Sequence, residues 1–382
     1  MHILIIGGTG VLSSAVTNEA LLKGISVTMI NRGNRIIPNG VEHIKADKND
    51  YQTIAKSLDG RMFDAVMDYL CFSDRETIES FNFYSQFTGQ YFFISSCAVY
   101  DTIKSGVCKE DSPKVLSVWP YSIKKWNSEK KLMSLAKSSN TKVTIIRPSV
   151  TYGDTRIPYG IAPVYGYHWT IVARIMAGKP IIRWNEGRNR CNMTRVEDFA
   201  VGVVGLIGNP KAYGEAFNVC GDDAPSFNDV LDTISQYLNK DIVTVDISST
   251  FYAKELPTRA GEILGGRSID AINSNQKLKD AVPEFTQTIN LQEGVFRTLD
   301  AYKNNHYQLG IDWEYEGDCD RIIRKWCKMN GIDDSNMHLG FTDYFGNASF
   351  YDKLLYLKSF YFNKQYYQIR KVLGTLKRIL FS

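Results

Sequence analysis

The sequence is poor in the features that define several large classes of protein. Its seven cysteines are an odd number with no C-x-x-C pair, and the 382 residues include only five histidines. Neither a disulfide framework nor a metal site is therefore expected, and a reducing compartment fits best. The formal net charge is only +4, so no general attraction to nucleic acid is expected.

Long apolar runs are also missing. No stretch of about twenty apolar residues occurs, and the N-terminal run MHILIIGG is too short for a signal peptide. The sequence therefore predicts no transmembrane span, and we expect a cytoplasmic protein.

Short apolar runs alternate with helical patterns over the first 150 residues. The strand-like runs are HILIIG (2–7), SVTMIN (26–31), DAVMDYL (64–70), QYFFISS (90–96) and KVTIIRP (142–148), and an amphipathic stretch covers 12–23. Nearly continuous apolar runs are typical of strands that are buried on both faces of a parallel sheet. The alternation predicts an α/β fold with a doubly wound, parallel-sheet Rossmann domain.

Changes in sequence texture predict three regions. We expect a dinucleotide-binding domain over 1–160, to which 195–220 returns, and a smaller α/β substrate-binding domain over 161–304. A basic, aromatic, helical extension covers 305–382. The extension has two interpretations: an amphipathic helix on an anionic membrane or a partner, or a helix packed on the protein's own surface or at a dimer contact.

A glycine-rich loop directly follows the first predicted strand. In IIGGTGVLSSAV, Gly7, Gly8 and Gly10 precede a helical pattern, and Ser13 stands where a third glycine is expected. Glycine permits the tight turn and lets backbone N–H groups approach a pyrophosphate at the helix N-terminus. The loop therefore predicts a dinucleotide site.

The end of the second strand indicates which dinucleotide binds. NAD sites have a carboxylate there for the ribose 2′-hydroxyl, whereas this chain has Asn31, Arg32 and Arg35. Cations without a carboxylate favour a 2′-phosphate, and hence NADP over NAD, unless Arg32 stacks on adenine. Asp47, just past a third strand-like run, is either an acceptor for the adenine amino group or a turn residue.

Polar residues at one strand end and at the next helix start form a candidate catalytic set. Ser95 and Ser96 end the 90–96 run, and open α/β sheets bind ligands at that edge. Pro120 suits the first position of a helix, which puts Tyr121 and Lys125 on one face. Because a nearby ammonium lowers the pKa of a phenol, we predict a proton-transferring pair.

In this order, the motifs resemble those of the extended short-chain dehydrogenase/reductase superfamily, which contains NAD(P)-dependent sugar-nucleotide epimerases, dehydratases and reductases. The resemblance covers about 1–304 and rests on GGTGVLS, ISSCAVY, YSIKK, IIRPSVTYGD and VEDFA. It implies a catalytic triad of Ser96, Tyr121 and Lys125. It also implies a cofactor site made of Gly7, Gly8, Thr9, Gly10, Val11, Leu12, Asn31, Arg32, Asp47, Lys48, Leu70, Ser95, Tyr121, Lys125, Pro148 and Ser149.

The same resemblance implies a nucleotide-sugar substrate and a homodimer. Expected substrate contacts are Ser96, Tyr121, Tyr152, Arg188 and Arg267, and Arg147 is either structural or close to the cofactor. Further candidates for bidentate contact with the diphosphate are Arg183, Arg190 and Arg195.

The two residues after Ser96 reduce the number of candidate reactions. Related dehydratases carry Asp and Glu there, and related decarboxylases tend to carry Glu at the second place, whereas this chain has Cys97 and Ala98. Two candidate reactions remain. One is epimerisation at C4 through a keto sugar, for example in surface-polysaccharide synthesis, and the other is net reduction of a keto sugar or another ketone. A dinucleotide- or RNA-binding regulator of the same fold also stays open, because the TMINRG turn is similar to such relatives. These usually lack the Tyr–Lys pair.

Overall fold

The strands begin and end close to the predicted apolar runs. The computed structural model describes residues 1–114, 118–164, 166–305, 310–340 and 348–362. In chain order its strands are β1 (His2–Ile6), β2 (Ser26–Asn31), β3 (Val41–Lys45), β4 (Ala65–Asp68), β5 (Gln90–Ile94), β6 (Val107–Cys108), β7 (Lys142–Pro148), β8 (Val150–Tyr152), β9 (Ile181–Arg183), β10 (Met193–Arg195), β11 (Glu215–Val219), β12 (Thr244–Asp246) and β13 (Ile272–Asn273).

Helices connect most of these strands and form the C-terminal region. They are α1 (Val11–Leu22), α2 (Tyr51–Leu58), α3 (Asp74–Tyr84), α4 (Thr102–Ser105), α5 (Pro120–Ala136), α6 (Trp169–Met176), α7 (Val196–Val204), α8 (Phe227–Leu238), α9 (Ser249–Glu255), α10 (Ala260–Glu262), α11 (Gln276–Ala281), α12 (Leu291–Asn304), α13 (Trp313–Asn330) and α14 (Phe350–Tyr361). Within the described ranges, no helix is both long and apolar enough to cross a bilayer.

Seven parallel strands form the main sheet in the order β3-β2-β1-β4-β5-β7-β11. The predicted Rossmann-like parallel sheet is confirmed. The strand order reverses direction between β1 and β4, and ligands bind at the carboxyl ends of the strands beside such a switch point. The pairing of β11 with β7 also brings the segment after β10 back to this sheet.

Helices cover both faces of the main sheet because successive side chains of each strand point to opposite sides. Ile3 and Ile5 of β1 lie in a core shared with α1 and α7. Leu4 and Ile6 lie in a second core shared with α2, α3 and α5. This arrangement explains why β1 is apolar at every one of these positions.

A third core belongs to the smaller domain and includes part of the predicted C-terminal extension. Strands β8, β9, β10 and β12 surround it together with α6, α8 and α12, and α13 contributes Cys319, Ile322, Ile323 and Cys327. This core therefore continues past residue 304, and α13 packs in it. The last part of the predicted extension, 363–382, lies outside the described residues.

A buried ionic network attaches α13 and α14 to α6. The Asp320 carboxylate accepts from Arg174 at 3.0 Å, from Lys179 at 2.6 Å and from the Tyr356 hydroxyl at 2.7 Å. Glu316 also accepts from Arg174. These charges are almost completely removed from solvent, so each depends on its partners for stabilisation.

Candidate active site

Two adjoining cavities open at the carboxyl edge of the main sheet. The first, of about 670 Å³, is lined by the segments that follow β1, β2, β3 and β4, and we call it the loop cavity. The second, of about 400 Å³, contains Ser96 and Tyr121, and we call it the Tyr121 cavity. Phe72 lines both, so the two cavities meet at this ring.

The turn between β1 and α1 requires glycine. Gly7 has φ +81°, and a Cβ there would lie 2.6 Å from Cγ of Leu70. The Ser13 hydroxyl connects both ends of the loop. It donates to the Gly7 carbonyl and accepts from the Gly10 N–H, each at 2.9 Å.

Cations surround the adenine end that the sequence predicts. Arg32 and Arg35 line the loop cavity, and Arg35 donates to the Thr9 carbonyl at 2.6 Å. The Asn31 amide oxygen accepts from the Gly33 N–H at 2.7 Å, which fixes the turn after β2. Asp47 lines the same cavity and also accepts from the Asn49 N–H at 3.0 Å. The residues present therefore fit a dinucleotide whose adenine ribose carries either a 2′-hydroxyl group, as in NAD, or a 2′-phosphate, as in NADP.

Most predicted cofactor residues lie on the walls of the two cavities. The loop cavity contains Gly7, Thr9, Gly10, Asn31, Arg32, Asp47, Lys48 and Leu70. The Tyr121 cavity contains Leu12, Ser95, Tyr121, Lys125, Pro148 and Ser149. Gly8 and Val11 line neither cavity: a Cβ on Gly8 would meet the Met29 side chain of β2, and Val11 lines a separate cavity beside α1. The cofactor contacts of these two residues stay predictions.

The start of α5 brings Tyr121 to Ser96. Pro120 occupies the first turn, as predicted, and Trp119 precedes it in an extended conformation. The Trp119 and Tyr121 rings contact each other with centroids 5.1 Å apart. The Tyr121 phenol and the Ser96 hydroxyl line the same cavity and lie close enough for Ser96 to lower the pKa of Tyr121, and Ser96 accepts from the Ala98 N–H at 3.1 Å.

Lys125 is held by backbone oxygen atoms. Its ammonium donates to the Ile94 carbonyl at 2.7 Å and to the Cys71 carbonyl at 2.9 Å, at the ends of β5 and β4. Burial lowers its pKa to about 8, against the opposing effects of Cys71 and Asp68. Its position is therefore fixed by the sheet.

Burial and nearby groups act on the pKa of the Tyr121 phenol. Burial raises its pKa, and the Ser96 hydrogen bond and then the positive charges of Arg156 and Arg267 oppose this shift. Lys125 is not among these leading contributions. That the Lys125 ammonium lowers this pKa stays a prediction, and in the structure the ammonium is engaged by the two carbonyl oxygens.

A buried ion pair between Arg147 and Glu129 lies next to the candidate catalytic residues. Arg147 donates to both carboxylate oxygens of Glu129, at 3.0 and 2.6 Å, and Ser95 donates to the same carboxylate. Arg147 also donates to the Tyr100 hydroxyl at 2.6 Å. Of the two roles predicted for Arg147, the structural one applies, since this network joins β5, α5 and β7.

Two of the predicted substrate contacts are misplaced. Tyr152 is 0 % exposed within the core of the second domain, where its hydroxyl packs against Gly294. Arg188 has a 71 % exposed side chain that pairs with Glu186 at 2.8 Å. Neither residue lines the Tyr121 cavity. Both predictions are therefore corrected: Tyr152 lies in the second core, although Val150 and Thr151 of the same strand line the cavity, and Arg188 is exposed to solvent.

The other predicted arginines are also engaged elsewhere. Arg183 pairs with Asp246 at 2.7 Å, Arg190 donates to the Ala224 carbonyl at 3.0 Å, and buried Arg195 pairs with Glu197 at 2.8 Å. The arginines that do line the Tyr121 cavity are Arg267, which was predicted, and Arg156, which was not. Arg156 follows β8 directly, and its place after a strand end was the available signal.

The loop after α10 completes this cavity. Glu262, Gly266 and Arg267 line it opposite Tyr121. A Cβ on Gly266 would lie 2.8 Å from the Trp119 ring, so this glycine allows the loop to pack onto the start of α5. Arg267 pairs with Glu262 at 3.4 Å, which holds one guanidinium in the cavity wall.

Comparison with known proteins agrees with this geometry. Residues 79–220 match the model of the NAD dependent epimerase/dehydratase family, which confirms the resemblance predicted from the sequence. This match spans β5, the Ser96 turn, α5 and β7. The matching family is one of NAD-dependent enzymes.

Two curated relatives differ in what their names state. The chain is 30 % identical over 244 residues to the chloroplast stem-loop binding protein of 41 kDa b of Arabidopsis thaliana, a match covering 59 % of this chain and 60 % of the relative. It is 24 % identical over 144 residues to the uncharacterised UDP-glucose epimerase YtcB of Bacillus subtilis (strain 168), covering 38 % and 43 %. The chain thus spans less than two thirds of either relative.

Solved structures show the same fold. A UDP-glucuronic acid 4-epimerase from Bacillus cereus, in complex with UDP-glucuronic acid and NAD, has a TM-score of 0.63 at 16 % identity, and the match covers 80 % of this chain and all of that one. An epimerase from Methanothermobacter thermautotrophicus has a TM-score of 0.65 at 16 % identity, with 80 % and 93 % covered.

Proposed function

We propose that this protein is an NAD(P)-dependent nucleotide-sugar epimerase that inverts C4 of a hexose through a keto-sugar intermediate. The observation that carries the proposal is the placing of Ser96 and Tyr121 in an arginine-containing cavity that adjoins the loop cavity. The match to the epimerase/dehydratase family supports it.

Tyr121 is the acid and base of the proposed reaction. Its phenolate takes the proton from the sugar hydroxyl and later returns a proton to the keto oxygen, while Ser96 donates a hydrogen bond to the same oxygen. A nicotinamide held beside Lys125 would supply the hydride acceptor for the oxidation and the hydride donor for the reduction. Lys125, held by its two carbonyl contacts, fixes the nicotinamide ribose and adds positive charge.

Arg156 and Arg267 bind the substrate diphosphate in this proposal. A guanidinium forms bidentate contacts with phosphate oxygens, which orients a ligand as well as retaining it. The same two positive charges oppose the rise in the pKa of Tyr121 that burial causes. Substrate binding and proton transfer are thus supported by one pair of side chains.

The cofactor of this proposal is NADP in preference to NAD. Arg32 and Arg35 in the loop cavity favour a 2′-phosphate, and no carboxylate follows β2 directly in the sequence. Binding of NAD and NADP, compared by calorimetry, tests this choice. Stronger binding of NAD would overturn it.

Elimination of water is disfavoured because the two places after Ser96 lack an acid and a base. Cys97 is buried, its thiol donates to the Arg147 carbonyl at 3.1 Å, and burial raises its pKa well above the usual value. It therefore stays protonated and does not act as a base near neutral pH. A net reductase remains the alternative enzyme, since the same three residues serve it.

A panel of UDP- and dTDP-hexoses, neutral and uronic, tests the reaction directly. We expect one member to convert to its C4 epimer in the anomeric proton NMR spectrum without net use of NADPH. Tyr121→Phe should bind dinucleotide but lose turnover by about 10²-fold or more, whereas Tyr213→Phe, at an exposed tyrosine, should keep it. Stoichiometric consumption of NADPH would favour the reductase, and unchanged turnover in Tyr121→Phe would contradict both.

A second candidate is RNA binding, which the name of the chloroplast stem-loop binding protein favours. A stem-loop RNA filter-binding assay at about 0.15 M salt distinguishes the two, because the small net charge predicts weak, salt-sensitive retention. Tight, sequence-selective retention that survives in Tyr121→Phe would support this candidate and leave the Tyr–Lys pair without a role.

A further inference from the structure

Helix α14 packs through one face only. Tyr356, Ser359 and Phe360 are buried on that face, and the Tyr356 hydroxyl reaches Asp320 of α13. These contacts fix the orientation of the helix about its own axis. The opposite face is thereby set toward solvent.

The exposed face of α14 is also apolar. Phe350, Leu354 and Tyr361 are 78 %, 46 % and 62 % exposed, and their spacing places them in one line along the helix. Tyr351 lies beside this line and Phe362 at its end, and both are exposed. We call these five residues the outer stripe. A contiguous apolar strip of this kind is unusual on a surface that meets only water.

Positive charge accompanies the outer stripe. Helical geometry puts Lys353 beside the line of Phe350, Leu354 and Tyr361, and puts Lys358 between this line and Tyr351, where it pairs with Glu314. Asp352 is the only acid between 348 and 382, and its carboxylate accepts from the N–H and the hydroxyl of Ser349 as a helix cap. The sequence that follows, 363–382, lies outside the described residues and contains five cations and no acid.

We propose that α14 binds the surface of an anionic lipid bilayer through the outer stripe. Aromatic and aliphatic side chains enter the headgroup region, and Lys353 reaches the lipid phosphates. Charge complementarity favours this occupant over a second copy of the chain, because a symmetric contact would bring the same cations together. The inference is independent of the reaction at Tyr121.

Vesicle sedimentation with the full chain tests the proposal. Vesicles of phosphatidylcholine alone are compared with vesicles that contain about one third phosphatidylglycerol. We expect binding to the anionic vesicles, weaker binding at about 0.5 M salt because charges are screened, and little binding to phosphatidylcholine alone. Absence of binding to the anionic vesicles would overturn the proposal.

Surface variants identify the residues responsible. The double variant Phe350→Ser with Leu354→Ser should lower the partition coefficient at least tenfold, and Lys353→Gln should lower it about fivefold. Ile36→Ser is the matched control, because Ile36 is 94 % exposed in the turn after β2. All these positions except Lys353 are well exposed, so the variants and wild type should have the same unfolding midpoint. An unchanged midpoint shows that a variant has lost vesicle binding without losing its fold.

The same variants reveal a different occupant if there is one. Equal sedimentation of the double variant and the Ile36→Ser control would overturn the proposal. A second result would also overturn the proposal. In it, wild type does not bind vesicles, and analytical ultracentrifugation without lipid shows that wild type is a dimer and the double variant a monomer. That result would assign the outer stripe to a second copy of the chain.

Discussion

Individual side chains near Tyr121 divide into those that meet the ligand space and those that hold others in place. Ser96, Tyr121, Arg156 and Arg267 line the Tyr121 cavity, whereas Glu129 lies beneath it and pairs with Arg147. The order of motifs along the chain is sufficient to predict that Ser96, Tyr121 and Lys125 belong to one site. It does not predict which arginines line the cavity, because that depends on how the segments containing Arg156 and Arg267 pack.

The charge on Lys125 should depend on pH just above neutrality. Its pKa is about 8 in the folded chain, lowered by burial from 10.5. Between these values the unfolded chain binds more protons, so the free energy of unfolding should rise with pH as this group titrates. Urea unfolding of wild type and Lys125→Met from pH 7 to pH 10 measures the effect.

The difference between the two proteins isolates Lys125 from the buried thiols, which both contain. We expect wild type to gain stability relative to the variant above pH 8. Parallel curves across this interval would show that the ammonium is solvated and would contradict its burial between Cys71 and Ile94.

Arg156 should contribute to substrate binding and Arg188 should not. Loss of a charged hydrogen-bond donor costs about 1.5–3 kcal/mol, so Arg156→Met should raise KM about tenfold or more. Arg188→Met removes an exposed arginine outside the cavity and should change KM less than about twofold. Steady-state kinetics with the NMR-identified substrate measure both, and equal effects would refute the assignment.

Among the elements, the β1–α1 turn shows how backbone conformation fixes a binding site. Gly7 adopts φ +81° and lies against Leu70, and the Ser13 hydroxyl joins the ends of the turn. A loop with this geometry presents its backbone to the loop cavity. Position and glycine content were readable from the sequence, whereas the bridging role of Ser13 was not.

Substitution of Gly7 should weaken dinucleotide binding. Gly7→Ala places a Cβ against Leu70 in a conformation that costs an L-residue about 1–2 kcal/mol, so we expect the dissociation constant to rise about tenfold or more. Gly89→Ala, where an added Cβ meets nothing within 4 Å, is the control. Isothermal titration calorimetry compares them, and equal affinities would mean that the turn does not form the site.

Sequence periodicity predicted the long elements and missed the short ones. β1, β2 and β5 have five or six residues, nearly all buried, so their apolar runs are visible. β6 and β13 have two residues each, and such lengths carry no readable period. The place of α13 in the second core was hidden because its buried face contains Glu316 and Asp320.

Across the whole molecule, the buried network around Asp320 joins the second domain to the C-terminal helices. Arg174 and Lys179 come from the domain, and Tyr356 comes from α14. One carboxylate therefore neutralises two buried cations. Loss of the Asp320 carboxylate should therefore lower the stability of the domain and weaken the attachment of α14.

Asp320→Asn should lower the free energy of unfolding by about 3–5 kcal/mol, since it removes the carboxylate that pairs with buried Lys179 and one of the two that pair with Arg174. Glu314→Gln removes a partner of Lys358 at the surface, a pair of side chains 25 % and 48 % exposed, and should cost less than about 1 kcal/mol. Urea denaturation followed by circular dichroism measures both. Similar, small losses would contradict the buried network.

The account as a whole depends on hydride leaving and returning to one sugar carbon beside Tyr121. The most direct measurement uses the reacting nucleotide sugar labelled with deuterium at C4, with the product analysed by NMR and mass spectrometry. We predict that wild type forms the C4 epimer with deuterium retained at that carbon and that Tyr121→Phe forms almost none. Epimer that has lost its deuterium, or equal product from the two proteins, would contradict the account.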